Sequence, residues 1–369
     1  MDTLERPDPA VTQERIVGTG SLEQVEIFQL AEAERSQLIQ QGQQEQKTSI
    51  SPLRAALRRF LRDKRAVFCL GVLLLLIVGS FVFPLIYQHL GPQLHDSLTG
   101  KLVGPEKYHQ AQQVEIVYND HPGELFPLGP NSLRYPLGTD YDGRDLLARI
   151  MAGLNISIEL AILVEVFDVL IGVTLGTLAG WYGGWLGLVI DRFTDVVFAF
   201  PGLLLVILIG ASLGPLADGL FPTNPVFGRL LLLTLALGIL AWPLMMRFVR
   251  GRTLELKEQQ FIEAARTAGG SDRAIILRHI VPNLMNIVVV ASTLDILNTI
   301  IGEAGISLLG AGLQPPAASL GILIADGIGR IYTSWTELFW PCMVLVVVVI
   351  CFSFVGDGVR DAFDPRTKD

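Results

Sequence analysis

The 369-residue chain is 50% hydrophobic and only 17% charged, with a positive mean hydropathy, a balance that excludes an ordinary water-soluble domain of this length. Its formal charge of -8 is spread over a polar tail and loops and points to no nucleic-acid partner. The three cysteines sit singly in apolar runs, with no CxxC spacing and no neighbouring histidine to complete a metal site, so they read as buried thiols.

Residues 1–50 hold nine acidic against four basic residues and too few apolar groups for a core. A disordered cytoplasmic tail is expected there, with a peripheral helix over 21–41 as the alternative. Over 51–65, Leu53, Ala56, Leu57, Phe60 and Leu61 recur at helical spacing among six basic residues, the pattern of a basic amphipathic interfacial helix. That basic cluster, placed directly before an apolar run, puts this end in the cytoplasm. Residues 66–87 are uncharged and long enough to cross a hydrocarbon layer of about 30 Å. They form the first predicted transmembrane helix, an uncleaved one, since the apolar run begins so far from the start.

Residues 88–153 are expected to be an external loop. Further spans are predicted at 156–181, 196–213, 227–246, 284–301 and 338–355, a five-helix core over 154–355, followed by a cytoplasmic tail at 356–369. The fold class is therefore an all-α membrane protein with six transmembrane helices and cytoplasmic N- and C-termini. Arginine and lysine crowd the stretch from Arg247 to Arg278 and are absent from 214–228, which sets the first inside and the second outside. Pro201 and Pro243 are expected to bend spans three and four. Trp181, Tyr182 and Trp185 are expected to anchor the inner interface around a Gly183-Gly184 turn.

The cytoplasmic loop 250–283 reads as two short helices. Glu263, Ala264, Ala265 and Arg266 continue the first, Gly269-Gly270 stops it, Ser271 caps the second and Pro282 ends it. Two successive alanines on an exposed helix give a slim surface that can enter another protein's groove. An ordinary solvated loop is the alternative that spacing alone leaves open.

Glu263-Ala264-Ala265, then Gly269, then Pro282 thirteen positions on, resembles the EAA signature of binding-protein-dependent ABC importer permeases. His279 departs from the general pattern, yet Arg278-His279 before Pro282-Asn283 is similar to the dipeptide, oligopeptide and nickel branch of that family. Pro136-Leu137-Gly138-Thr139-Asp140 with Gly143-Arg144-Asp145, Trp181-Tyr182-Gly183-Gly184-Trp185, Glu303-Ala304 and Gln314-Pro315-Pro316 resemble the same branch. So do Gly356-Asp357-Gly358 and Asp364-Pro365-Arg366.

The resemblance implies a type I ABC importer permease fold in a bacterial inner membrane. It also implies a second permease subunit, two cytoplasmic ABC ATPase subunits and an external or periplasmic substrate-binding protein. Glu263, Ala264, Ala265, Arg266, Gly269 and Pro282 would then dock the ATPase. No Gly-rich loop ending in Gly-Lys-Ser or Gly-Lys-Thr is present, so ATP and magnesium are expected in the partner ATPases and no cofactor or catalysis in this chain. Small peptides are favoured over nickel, because no His or Cys cluster suggests metal coordination. An ion-coupled secondary transporter is the alternative of another class.

Glu165 and Asp168 fall inside span two and Asp295 inside span five, where a lipid-facing carboxylate costs about 2.5–3.5 kcal/mol on insertion scales. No Lys, Arg or His lies in the interior of a predicted span to pair with them. Glu165 and Asp168 share a helix face. The expectation is an acidic face that lines the substrate pathway and favours a free amino terminus or other positive charge; interhelical hydrogen bonding is the alternative. Asp295 stands where the resemblance leads one to expect a small residue.

Overall fold

The computed structural model describes residues 52–87, 137–138, 140, 144–314 and 317–363. The expected tail over 1–50, most of the expected external loop, residues 136, 139, 143, 315–316 and 364–366 of the quoted motifs, and residues 367–369 lie outside the described residues. The chain divides into two units, Met1–Arg58 and Arg59–Asp369. Every regular element among the described residues is a helix.

The expected interfacial helix over 51–65 is shorter: α1 spans Pro52–Phe60. The Asp63 carboxylate accepts the backbone N–H of Arg65 at 3.0 Å, and this cap starts a new helix, α2 (Lys64–Tyr87), where the sequence pattern continued the old one. The next described helix, α3 (Leu146–Tyr182), begins inside the stretch expected to be loop. Asp145 caps it, its side chain accepting from the N–H groups of Leu147 and Ala148. Just upstream, the buried Asp140 carboxylate takes the Arg144 Nε at 2.8 Å and an ion pair from the buried Arg149, which also reaches Asp326 at 3.5 Å. This charge cluster fixes the entry to α3.

The Gly183-Gly184 turn, with φ of 59° and 53°, joins α3 to α4 (Gly184–Ala199), a separate helix and not another span. The continuous span expected over 196–213 is thus broken. Chain direction changes at Phe200-Pro201, and α5 runs over Gly202–Leu220. Pro201 stands at the N-cap of α5, so it starts a helix and kinks none, because a first-turn residue needs no N–H partner. Pro243, by contrast, does lie inside α6 (Pro225–Lys257).

After α6 come α7 (Gln260–Thr267), α8 (Asp272–Ile275), a π-helical turn at Ile276–Ile280 and α9 (Val281–Leu308). They are followed by α10 (Leu320–Gly329) and α11 (Trp335–Phe363). The expected C-terminal tail is helical as far as Phe363. Among the described residues, five helical stretches are long and apolar enough to cross a membrane, namely those within α2, α5, α6, α8–α9 and α11. The expected second crossing, in α3, is not among those five; about half of the 37 residues of α3 are buried, which makes it the central helix.

What centres α3 is a stripe of small residues, Gly172, Gly176 and Gly180, one helical turn apart. A Cβ at Gly172 would stand 2.7 Å from the Met245 side chain, one at Gly176 2.6 Å from the Met246 carbonyl, and one at Gly180 2.7 Å from Thr253. The two backbones therefore touch along α3 and α6, and Gly238 of α6 receives the Phe167 ring of α3 in the same way. Around this seam lie three apolar clusters, one about Leu160, Val164, Leu230 and Leu233, one about Trp181, Met245, Leu256, Ile262 and Ile280, and one about Ala179, Ile190, Trp242 and Met246.

At the other end of α3, Glu303 of α9 is almost fully enclosed. Ser157 Oγ donates to its Oε2 at 3.1 Å and Ser307 Oγ to its Oε1 at 2.7 Å, while Ser157 Oγ also accepts the Leu320 N–H at 3.3 Å. One hydroxyl thereby joins α3, α9 and the start of α10. Ser157→Ala leaves a buried carboxylate oxygen and a buried N–H short of a partner, and is expected to cost about 1–3 kcal/mol. A lower thermal midpoint of the purified protein in detergent is the check.

Candidate functional site

The loop expected to meet the ATPase is a short helical knuckle on a firm base. In α7 the Ile262 side chain is fully buried among Trp181, Leu256, Ile275, Ile280 and Leu284, and Ala265 packs at the edge of the same cluster. Phe261, Glu263, Ala264 and Arg266 are exposed. The helix ends as the sequence predicts: Gly269 adopts φ 82°, its N–H reaches the Arg266 carbonyl at 2.9 Å, and the Gly270 N–H reaches the Ala265 carbonyl at 3.0 Å. Ser271 then caps α8, its hydroxyl accepting from the Ala274 N–H at 3.4 Å.

Pro282 does not end the second helix. The backbone instead widens into the π turn at Ile276–Ile280, with the Val281 N–H bonded to the Ile276 carbonyl, and runs on into α9. Proline supplies no N–H to the ladder, and widening by one residue lets the helix pass it. The Asn283 side-chain amide completes the repair by donating to the His279 carbonyl at 2.7 Å. Loop and span are thus one helical stretch, Asp272–Leu308.

Trp181, expected as an interfacial anchor, is buried and forms the seat of the knuckle, whereas Tyr182 and Trp185 remain exposed. The Arg266 guanidinium lies 4.6 Å from the Trp181 ring centroid, and Lys257 Nζ donates to the Trp181 carbonyl at 2.7 Å. Sequence reasoning picked out Arg266 but missed Trp181, Lys257 and Ile262 as its supports. A tryptophan two positions before a helix-stopping glycine pair was the available signal.

The three membrane-depth carboxylates do come together. Single oxygens of Glu165, Asp168 and Asp295 lie within 4.8 Å of one another. Glu165 and Asp168 occupy the middle of α3, one turn apart, and Asp295 the middle of α9. Glu165 is 8% and Asp168 1% exposed, while Asp295 is half-buried. Ser292 and Asn298 of α9 are the polar side chains set against Glu165 and Asp295. Among the described residues no Lys, Arg or His forms an ion pair with any of the three, and neither Asp168 oxygen has a hydrogen-bond partner. Two full charges 4.8 Å apart repel by about 3.5 kcal/mol at an effective dielectric near 20. Holding all three carboxylates ionised with no counter-charge is therefore costly.

Comparison with known proteins places this architecture. The family model described as "Binding-protein-dependent transport system inner membrane component" matches residues 172–369, and that of the "N-terminal TM domain of oligopeptide transport permease C" matches residues 51–99. The chain is 34% identical over 314 residues to the oligopeptide transport system permease protein OppC of Escherichia coli (strain K12), covering 85% of this chain and 91% of that one. It is 36% identical over the same length to OppC of Salmonella typhimurium, again with 85% and 91% covered. It is 32% identical over 342 residues to the dipeptide transport system permease protein DppC of Lactococcus lactis subsp. cremoris, covering 88% and 93%. Among solved structures, the inward-facing MetNI methionine ABC transporter matches with a TM-score of 0.46 at 21% identity, over 59% of this chain and 96% of that one. With a buried knuckle base, a bundle of apolar helices and these matches along most of its length, this multi-pass inner-membrane chain belongs to the family of binding-protein-dependent transport system inner membrane components.

Proposed function

We propose that the chain is the permease subunit of an ATP-driven importer of small peptides, forming half of the pathway and performing no covalent chemistry. The observation that carries this is the knuckle: exposed Glu263 and Ala264 above a buried Ile262, on the short helix α7 that the Gly269-Gly270 turn joins to Asp272–Leu308, the stretch that runs on into a membrane span. Such a piece passes on a push as rigid-body motion. The relatives named oligopeptide and dipeptide permeases support peptides as the cargo.

In this reading the working complex holds a second permease, two cytoplasmic ATPases that bind ATP and magnesium, and an external binding protein. The arrangement is that of a type I importer, with six crossings and both termini in the cytoplasm. Glu263, Ala264, Ala265, Arg266 and Gly269 enter the ATPase cleft, with Pro282 at the root of the loop. Glu165, Asp168 and Asp295 supply negative charge to the pathway, opening toward it through half-buried Asp295 and exposed Asn298.

The test is reconstitution of the chain with its partner permease, ATPases and binding protein, followed by a panel of peptides and nickel. Peptides are expected to stimulate ATP hydrolysis and nickel is not. Transport that persists without the ATPases points to an ion-coupled transporter and sinks the reading. Within the same assay, Asp168→Asn and Asp295→Asn are expected to depress uptake of cationic peptides about tenfold relative to neutral ones, the size of one lost charge interaction of about 1.4 kcal/mol. Equal effects on both classes remove the carboxylates from the pathway.

A further inference from the structure

We infer that Glu165, Asp168 and Asp295 form a binding site for one hard divalent metal ion, of the calcium or manganese class, held between α3 and α9 at membrane depth. The inference concerns the same carboxylates as the pathway reading, but it rests on their geometry and not on what is transported.

The donor set is all oxygen, which suits calcium, magnesium or manganese and disfavours zinc or copper. Calcium–oxygen bonds of about 2.3–2.6 Å put ligand oxygens on opposite sides of one ion about 4.6–5.2 Å apart. The three carboxylates place one oxygen each within 4.8 Å of one another, the spread that one such ion requires. Calcium-type coordination takes six to eight oxygens. Three carboxylates can offer six, and the Ser292 hydroxyl stands beside them on the same face of α9.

Asp168 separates this from an ordinary acidic patch. Its side chain is 99% enclosed on the central helix, it points into the cluster, and neither of its oxygens has a partner. A shared proton between two carboxyls calls for an oxygen–oxygen hydrogen bond of about 2.5–2.7 Å. No such bond joins the three among the described residues, and a lone protonated Asp168 finds no acceptor for its O–H. A divalent ion satisfies both oxygens at once. It also leaves the cluster, with three charges, one net negative charge, which keeps it attractive to an amino group in the pathway. Half-buried Asp295 gives the ion a way in.

The experiment uses the full chain co-purified with its partner permease in lipid nanodiscs, stripped with chelator and titrated with radioactive calcium, with manganese followed in parallel by electron paramagnetic resonance. One saturable site per chain is expected. Asp168→Asn and Glu165→Gln are expected to weaken it at least about 100-fold, the upper end of what losing even an outer-shell partner costs. Glu159→Gln, on the exposed face of α3, leaves it unchanged. Both amide variants relieve repulsion, so in chelator they are expected to melt at or above the wild-type temperature, and only the wild type gains further from added calcium. Failure of both ions to saturate the wild type overturns the inference, as does a folded Asp168→Asn or Glu165→Gln variant that titrates like the wild type. The readout needs neither ATPase nor peptide, so it stands or falls separately from the transport reading.

Discussion

Ala264→Arg is expected to leave the chain folded and inserted while reducing its association with the ATPase subunits about 100-fold, near 2.7 kcal/mol. Ala264 is exposed on α7, and its side chain is no part of the buried cluster beneath, so a long charged residue has room in the isolated chain. In a cleft shaped for two alanines it does not. The measurement is co-purification of the ATPases with the variant, set beside its thermal midpoint. Unchanged stability with lost ATPase binding supports docking, whereas normal co-purification and peptide-stimulated hydrolysis would show the knuckle to be a solvated loop. Ile262→Ala makes the complementary case: it empties the base of the knuckle and is expected to lower the midpoint by about 2–5 kcal/mol of stability before any question of docking arises.

Gly176→Leu is expected to abolish accumulation of folded protein. Its first added carbon would stand 2.6 Å from the Met246 carbonyl and 2.8 Å from Val249 Cβ, with backbone on one side and a branched side chain on the other. Neither can swing away, so α3 and α6 must part along their whole seam. Overpacking of this kind costs at least about 3 kcal/mol, a large share of a typical stability of about 5–15 kcal/mol. Gly176→Ala already meets the same contacts and is expected to fold with a depressed midpoint. Gly251, also in α6, has nothing within 4 Å of an added Cβ, so Gly251→Ala is expected to be neutral or to gain up to about 1 kcal/mol from helix propensity. Similar yields for Gly176→Leu and Gly251→Ala would show that the helices do not meet there.

Composition and hydropathy made the helical membrane class legible, because an uncharged 22-residue run has few other uses. The stop at Gly269 and the cap at Ser271 were legible for the same local reason: each depends on one residue's backbone freedom or hydroxyl. The reading failed where local signals compete with context. Pro282 looked like a terminator, but a π turn and the Asn283 amide carry the helix past it. Pro201 looked like a kink, but it opens α5 after a break that no charge marked. The helix expected over 51–65 ran through Asp63, although that residue's position caps the next helix.

The site was half legible. The pairing of Glu165 with Asp168 follows from their three-residue spacing, and the docking residues follow from a motif. The approach of Asp295 does not, since it depends on how α9 crosses α3. The seat of the knuckle on Trp181 was hidden too, because the side chains that meet there come from five helices and the π turn. The glycine stripe at Gly172, Gly176 and Gly180 was present as a four-residue repeat and went unread.

The unbroken stretch from Asp272 to Leu308 has a geometric corollary. Its 37 residues make a rod of about 55 Å, with Asp295 about 35 Å from the cytoplasmic tip. Pivoting such a rod by about 5° at its tip sweeps Asp295 sideways by about 3 Å, more than the length of a metal–oxygen bond. A small angle imposed from below is thereby geared up into a stroke large enough to unmake coordination half a membrane away.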